Sequence, residues 1–249
     1  MIDSTNTYKL FSEFYDIYTE RFKDNLPFYN SICSNHDKII EIGCGTGRIL
    51  EPLLQNGNKI TGVDNSPEML EKAKSKLKKW ILTNKLKLIN HEFSNNTLDG
   101  RYDTALITFY TFNYIIEEPA VFLENVYKAM NIGSSITLDL FFPNTIYNKE
   151  IDNRWITKEY NIHGKQIKLK DKRSVKNNIE LRQQFFSVDK TEIKINTYRK
   201  YYSPVEIRKC LNEAGFDDVK YSISYNKSLF EDKIDESLLT TNFVVQARK

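Results

Sequence analysis

Between residues 38 and 142 the chain alternates short apolar runs rich in β-branched residues with longer stretches whose apolar positions recur every three or four residues. The runs are Lys38–Ile42, Lys59–Val63, Leu86–Ile89, Thr104–Phe109 and Ser135–Phe142. Such runs separated by helical periodicity predict a parallel sheet covered by helices. Ser66-Pro67-Glu68 offers a capping hydroxyl, a proline at the first helical position and an early acid, so a helix is predicted from there to about Trp80. A second is predicted from near Pro119 to a stop before Gly133.

From about Asn144 to Tyr202 the period shortens to two. Ile162-His163-Gly164-Lys165, Asn177-Asn178 and Val188-Asp189-Lys190 read as turns between three or four amphipathic strands. The helical pattern returns at Ser203-Pro204-Val205-Glu206, a capping box with proline at the first helical position, and ends at Ala214-Gly215, where glycine supplies the left-handed cap. Strands around Val219–Tyr225 and Asn242–Ala247 complete a set of seven. The expected fold is α/β: a Rossmann-like, seven-stranded, mostly parallel sheet with helices on both faces, plus an antiparallel β insertion after the fifth strand. Residues 1–143 and 203–249 form the core and 144–202 the insertion.

At 249 residues the chain suits one such core with its insertion, and 40% hydrophobic residues with 15 Tyr and 15 Phe exclude disorder. No apolar run approaches the roughly 18 residues of a membrane span. Met1 to Asn6 shows neither a basic flank nor an apolar signal segment, so a cytoplasmic location is expected. Cys33, Cys44 and Cys210 form no CxxC pair and are odd in number, so they are expected as reduced, buried fillers with no metal. A net charge of +3 is too small to signal nucleic acid.

The chemistry lies first in Ile39-Ile40-Glu41-Ile42-Gly43-Cys44-Gly45-Thr46-Gly47, a strand running into three glycines spaced two apart. Such a turn lets the backbone approach a ligand directly. The dinucleotide spacing G-x-G-x-x-G is absent. In Ile60 to Leu70, Asp64 closes the next strand, where a carboxylate can accept from both hydroxyls of a ribose.

The first block resembles motif I of the class I S-adenosylmethionine-dependent methyltransferases, which commonly read E/D-h-G-C-G-T-G. The second, Val63-Asp64-Asn65-Ser66-Pro67-Glu68-Met69-Leu70, is similar to their V-D-x-S-x-x-M-L. The resemblance implies that the turn around Gly43, Cys44, Gly45 and Gly47 holds the amino acid end of the cofactor with Glu41. It further implies that Asp64 holds the ribose and that Met69 lines the adenine pocket with Glu92 and Phe93, and it adds Asn65 and Phe109 as cofactor contacts. Glu92 stands where the family more often has Asp. Phe14-Tyr15-Asp16-Ile17-Tyr18 looks like the Y-D-x-h-Y lid of sugar and amino-acid N-methyltransferases, which adds Tyr15 and Arg21 as cofactor contacts. An amphipathic helix packed on the sheet explains the same spacing.

Thr108 to Ile115 follows the fourth strand, at the sheet's carboxyl end, and resembles the family's D-S-x-N-Y segment with Tyr110 in place of an acid. It lacks the N/D-P-P-Y/F/W run of enzymes that methylate amides and exocyclic amines. Deprotonating an alkyl ammonium at neutral pH costs roughly 4 kcal/mol, far less than an unactivated hydroxyl. The expected acceptor is therefore a small molecule carrying an amine or an already ionised oxygen, with Tyr110 and Tyr114 orienting it and His163 the remaining candidate base. Lys165, Lys168, Lys170, Lys172, Arg173 and Lys176 could face an anion such as a nucleotide-linked sugar, or be the solvated face of an edge strand. Arg182 and Arg199 leave the same two readings open. The alternatives are an RNA methyltransferase docking through the basic insertion and a non-catalytic member of the fold.

Overall fold

The protein is described here from a computed structural model covering residues 4–22, 25–91, 98–143, 152–162, 164–188, 191–223, 225–236, 239 and 241–249, without the side chains of 4–10, 13, 21 and 162. In chain order the strands are β1 (Lys38–Ile42), β2 (Lys59–Asp64), β3 (Leu86–Asn90), β4 (Tyr102–Ile107), β5 (Met130–Phe141), β6 (Trp155–Ile162), β7 (Lys165–Lys176), β8 (Ile179–Val188), β9 (Thr191–Lys200), β10 (Asp217–Ser222) and β11 (Asn242–Arg248). The helices are α1 (Ser4–Thr19), α2 (Leu26–Ile32), α3 (Leu50–Gln55), α4 (Pro67–Lys76), α5 (Lys78–Leu82), α6 (Pro119–Lys128) and α7 (Pro204–Glu213). None is long and apolar enough to cross a membrane.

The first sheet has the order β10-β11-β5-β4-β1-β2-β3. β1 to β5 are mutually parallel, and β11 runs antiparallel between β5 and β10. Strand residues alternate between faces, and here both faces are apolar because both are covered. Ile40 and Ile42 pack with Phe122, Leu123 and Val126 of α6 and Ile207 and Leu211 of α7. Ile39 points the other way, to Phe28 and Tyr29 of α2 and to Leu50, Leu53 and Leu54 of α3. Burying each such side chain contributes about 1.5–3 kcal/mol.

Local signals set the helix starts. Ser66 accepts from the Met69 N–H, and Ser203 and Glu206 make the reciprocal capping box. Several boundaries differ from expectation. β4 stops at Ile107 because Phe109 (φ 50°) and Tyr110 (φ 67°) both adopt left-handed backbone. The helix begun at Pro67 breaks at Leu77 and restarts as α5. β5 begins at Met130 rather than Ser135, since Tyr102 pairs with Met130 ahead of a register shift.

The insertion after β5 is a separate antiparallel sheet in the order β6-β7-β8-β9. Asn177 and Asn178, both at positive φ, form the two-residue hairpin between β7 and β8. Its inner face carries Ile167, Leu169, Phe186, Val188, Ile193 and Ile195, packed against Phe14 of α1 with Phe11, Ile17 and Tyr18. α1 therefore packs on the second sheet rather than the first. Asp16 fastens it to the first by accepting from Thr46 Oγ1 at 2.5 Å and Lys76 Nζ at 3.1 Å. The edge-strand reading of the lysine run needs correction: β7 lies inside the sheet, between β6 and β8. Lys168, Lys170 and Lys176 are exposed through strand alternation, whereas Arg173 is buried.

One buried side chain ties the two sheets together. Asn113 Nδ2 donates to the carbonyls of Phe141 (3.0 Å) and Lys200 (2.7 Å), and its Oδ1 accepts from the Phe141 N–H (2.8 Å). Asn113→Ala strands those groups at about 1–3 kcal/mol for each unsatisfied one. Urea unfolding of the variant should show a loss of about 3–5 kcal/mol, and a loss under 1 kcal/mol would mean that the two sheets are joined by other contacts.

Candidate active site

The carboxyl ends of β1, β2, β4 and β5 face the polar end of the second sheet across a cleft of ≈ 1030 Å³. That is ample for two small ligands side by side.

One half is built by the turn after β1. Gly43 and Cys44 donate their N–H groups to Val63 O at 2.8 and 3.0 Å, which folds the turn over the end of β2. Gly43 (φ 74°) cannot carry a side chain, because a Cβ would lie 2.4 Å from Thr111 Cγ2. The three glycines are not equivalent. Gly43 and Gly45 line the cleft, but Gly47 packs beneath it, where a Cβ would meet Leu77 Cδ1 at 2.7 Å. Tyr15 of α1 lies over Gly45, with its Cε1 3.7 Å from where a Cβ would be.

Glu41 is buried, and Thr108 Oγ1 donates to its Oε1 at 2.8 Å. Burial pushes its carboxyl up to about 8, against the Thr108 hydrogen bond and the charge of Arg48. Asp64 accepts from Gly45 N–H at 2.8 Å through Oδ2 and from Ser66 N–H at 2.9 Å through Oδ1. Burial raises it as well, while those N–H groups hold it down. A carboxylate has about four acceptor positions, so capacity remains on each oxygen. Asn65, Met69 and Phe109 also line the cleft. Cys44 is buried with a thiol raised by burial, as expected of a filler, and all three cysteines are free.

Arg48 follows the glycine turn directly and was missed in the sequence, although its place after Gly47 is a usable signal. Its Nη1 donates to Phe22 O (2.7 Å) and Asn25 Oδ1 (2.9 Å), and its guanidinium stacks on Phe109 at 4.9 Å. Arg48 Nη2 and Glu41 Oε2 are buried and make no hydrogen bond among the described residues. An unsatisfied buried donor and acceptor beside one cleft fit the carboxylate and ammonium of an amino acid, with Asp64 free to take a diol.

The other half is roofed by the second sheet. Arg182 binds Asp171 through two hydrogen bonds of 2.8 Å, and Arg173 reaches the same carboxylate at 3.3 Å. Burial works to raise Asp171, but Arg182 and then Arg173 outweigh it and hold the carboxyl below its usual range. Glu180, fully buried, accepts from Arg199 (2.9 and 2.5 Å) and from the Tyr201 hydroxyl. Arg199 and Arg173 sit over the Phe141 ring at 4.3 and 5.4 Å. Three guanidiniums against two carboxylates leave this roof with one positive charge, and Lys158 joins the lining.

Tyr110 lies between the halves, stacked on Phe109 (5.4 Å) and edge-on to Phe141 (5.5 Å). Tyr114 stands at the mouth, 47% exposed. Beneath them is Asp139, a lone acid in an apolar strand and another residue missed in the sequence. Its Oδ2 accepts from Tyr225 (2.8 Å), Tyr29 (3.1 Å) and the Phe109 N–H (3.2 Å), and burial raises it to about 6. Glu92, Phe93, His163 and the Arg21 side chain lie outside the described residues. No group of three or more metal-ligating side chains occurs among the described residues.

A glycine turn after β1 and an acid at the tip of β2, beside an open, mostly parallel sheet, define a Rossmann-like arrangement. The sequence of residues 40–136 matches the family model described as a methyltransferase domain. The "Probable cobalt-precorrin-6B C(15)-methyltransferase (decarboxylating)" of Methanobrevibacter smithii is 34% identical over 67 residues, 27% of this chain and 36% of that protein. The match thus spans only about a third of that relative's length. An S-adenosylmethionine-dependent methyltransferase from Clostridium acetobutylicum superposes with a TM-score of 0.80, at 17% identity and covering 97% of this chain and 98% of the other. The sugar N-methyltransferase KedS8 from Streptoalloteichus does so at 0.70, with 14% identity and 94% and 93% coverage. Residues 40–136 thus resemble a methyltransferase domain, and the chain shares its α/β fold with these solved structures.

The raised Glu41 makes a pH prediction. In the folded, ligand-free protein it keeps its proton to about pH 8, whereas the unfolded chain loses it near 4.5. The folded state then binds the extra proton, so its advantage is present at low pH and is lost as pH rises towards 8. Asp139 has titrated by about 6, which leaves the upper window to Glu41. Unfolding free energy should fall by about 2–3 kcal/mol from pH 6 to 8, at about 1.36 kcal/mol per unit. Urea titrations of Glu41→Gln should show that slope flattened.

Proposed function

We propose that the chain transfers a methyl group from S-adenosylmethionine to a small molecule, at an amine or an already ionised oxygen. The observation that carries this reading is the single cleft in which unsatisfied Glu41 and Arg48 groups and Asp64 face an enclosed arginine roof.

When bound, the cofactor supplies a methyl group on a sulfonium, an electrophile that needs little activation. Glu41 Oε2 would take its ammonium and Arg48 Nη2 its carboxylate, with Tyr15 covering that end and Asp64 taking the ribose. Met69 and Asn65 would flank the adenosine. The protein's main contribution is then to hold the nucleophile in line and keep water out, a task for Tyr110, Tyr114 and the roof formed by the 144–202 insertion.

Arg173, Arg182 and Arg199 suit an acceptor with an anionic group, and a nucleotide-linked sugar is the first class to try. The sugar N-methyltransferase among the structural neighbours supports that choice. The exposed lysines of β7 point away from the cleft, so RNA docked there would not present a base to the methyl group.

Two measurements test the reading. S-adenosylhomocysteine at about 100 times its Kd should stabilise the chain by about 2.7 kcal/mol, a melting shift of roughly 5–10 °C, and Asp64→Ala should remove most of it. With methyl-labelled S-adenosylmethionine and a host extract split into small-molecule, RNA and protein pools, label is expected in the small-molecule pool. Label confined to RNA would overturn the small-molecule acceptor.

A further inference from the structure

The second sheet has an outer face that the cleft does not use. Strand alternation buries Ile167, Leu169, Asp171 and Arg173 of β7 on the inner side and leaves Lys168, Lys170 and Lys172 on the other. Cross-strand register then fixes their neighbours. One row runs Thr157, Lys170, Phe185 and Lys194, and the next Trp155, Lys172, Gln183 and Asn196. A third continues through Ser174, Leu181 and Tyr198. None of these rows contains an acid. On the four strands the outward acids are Glu159 and Glu192, and both stand in the row of Lys168 and Ser187. There Glu159 pairs with Lys168 at 3.3 Å and Glu192 accepts from Ser187.

Lysines two apart on one strand lie about 6.6 Å from each other, and like charges on one sheet face repel. Lys170, Lys172 and Lys194 therefore raise a positive field that no acid across the strands offsets. The chain's net charge of +3 conceals this segregation. Aromatic rings lie among the same lysines. Trp155, 50% exposed, leans across β7 onto Phe185 with ring centroids 5.4 Å apart. Lys172 Nζ stands 5.7 Å from the Trp155 ring and Lys194 Nζ 5.5 Å from that of Phe185. Tyr198 is 58% exposed in the next row.

We propose that this outer face binds a single-stranded nucleic acid, its phosphates paired with Lys170, Lys172 and Lys194 and its bases stacked on Trp155 and Tyr198. The inference is independent of the methyltransferase reading. A strand held here lies on the opposite side of the sheet from the cleft, so it is a tethered partner and not the methyl acceptor. A duplex keeps its base faces within its own stack and has none to offer the rings. An acidic peptide would neutralise the lysines and leave the rings bare. A bilayer would have to admit the rings together with the two ammonium groups that stand on them.

The test uses the full chain with fluorescein-labelled oligouridylate and oligothymidylate of about 12 nucleotides, within the usual span of such sites. Anisotropy should report binding of at least one of them at about 50 mM salt, weakening about 20-fold by about 200 mM, as three phosphate contacts on a single strand require. Lys170→Gln should weaken binding and flatten that salt dependence by about a third. Trp155→Ala and Tyr198→Ala should each weaken binding at least about fivefold and leave the salt dependence as it is. Trp80 is the other of the chain's two tryptophans, so in Trp80→Phe the fluorescence reports Trp155 alone and the oligonucleotide should quench it. Circular dichroism melting of each variant shows that it is folded. A preference for oligouridylate assigns RNA, and one for oligothymidylate assigns DNA. The proposal is overturned if neither oligonucleotide binds at the lower salt. It is equally overturned if binding survives unchanged in both Trp155→Ala and the triple variant Lys170→Glu/Lys172→Glu/Lys194→Glu. Polyglutamate or phosphatidylserine vesicles bound through those lysines, with no quenching of Trp155 by either oligonucleotide, would also overturn it and assign the face to an acidic polypeptide or a membrane surface.

Discussion

The hydrogen bond from Gly45 N–H to Asp64 Oδ2, 2.8 Å long, sets the geometry of the glycine-turn half of the cleft. It works with the paired donation of Gly43 and Cys44 to Val63 O, so the loop after β1 is stitched to the tip of β2. Only left-handed backbone turns the chain sharply enough, and Gly43, Gly45 and Gly47 provide it at φ 74°, 53° and 82°. Two acids, one from each strand, then stand at the same opening with much of their hydration removed. Their raised carboxyls follow from that stitching, and so does the capacity of Glu41 to bind a cation it does not yet have.

The roofed half depends on register instead. β8 and β9 pair Glu180 with Arg199 directly, but β7 and β8 place Arg173 opposite Arg182. Like charges facing each other across strands are unfavourable, and Asp171 offsets them by binding both. Buried ion pairs contribute modest stability, yet removing one partner is strongly destabilising. The roof is therefore best understood as a set of preorganised charges, each fixed by a neighbour, with Asn113 holding the sheet to the core that carries the rest of the cleft.

The parts legible in the sequence are those decided by nearby residues. Ser66 and Ser203 announce their helices, the asparagine pair at 177 and 178 announces its hairpin, and Gly43, Gly45 and Gly47 announce the turn after β1. What escaped depends on distant partners. Arg182 and Arg199 could not be told from solvated arginines until strand register set them beside Asp171 and Glu180. Thr104 to Phe109 reads as one continuous strand, but the chain turns at Phe109, whose N–H is captured by Asp139. Asp139 did leave a trace, as the one charged residue between Ile136 and Phe142. Its partners, Tyr29 and Tyr225, lie too far along the chain for any local pattern to show them.

The two halves also differ in charge. The buried Glu41 holds its proton and Asp64 stands beside Arg48, so one end is close to neutral, while Arg173, Arg182, Arg199 and Lys158 outnumber the carboxylates at the other. In a partly enclosed cleft the field of such an arrangement is screened less than on an open surface, so the roofed end favours an anionic group. The bonds of Arg48 to Phe22 and Asn25 leave its second terminal nitrogen without a hydrogen bond among the described residues. Tyr110 stands between the two ends, stacked on Phe109 and edge-on to Phe141.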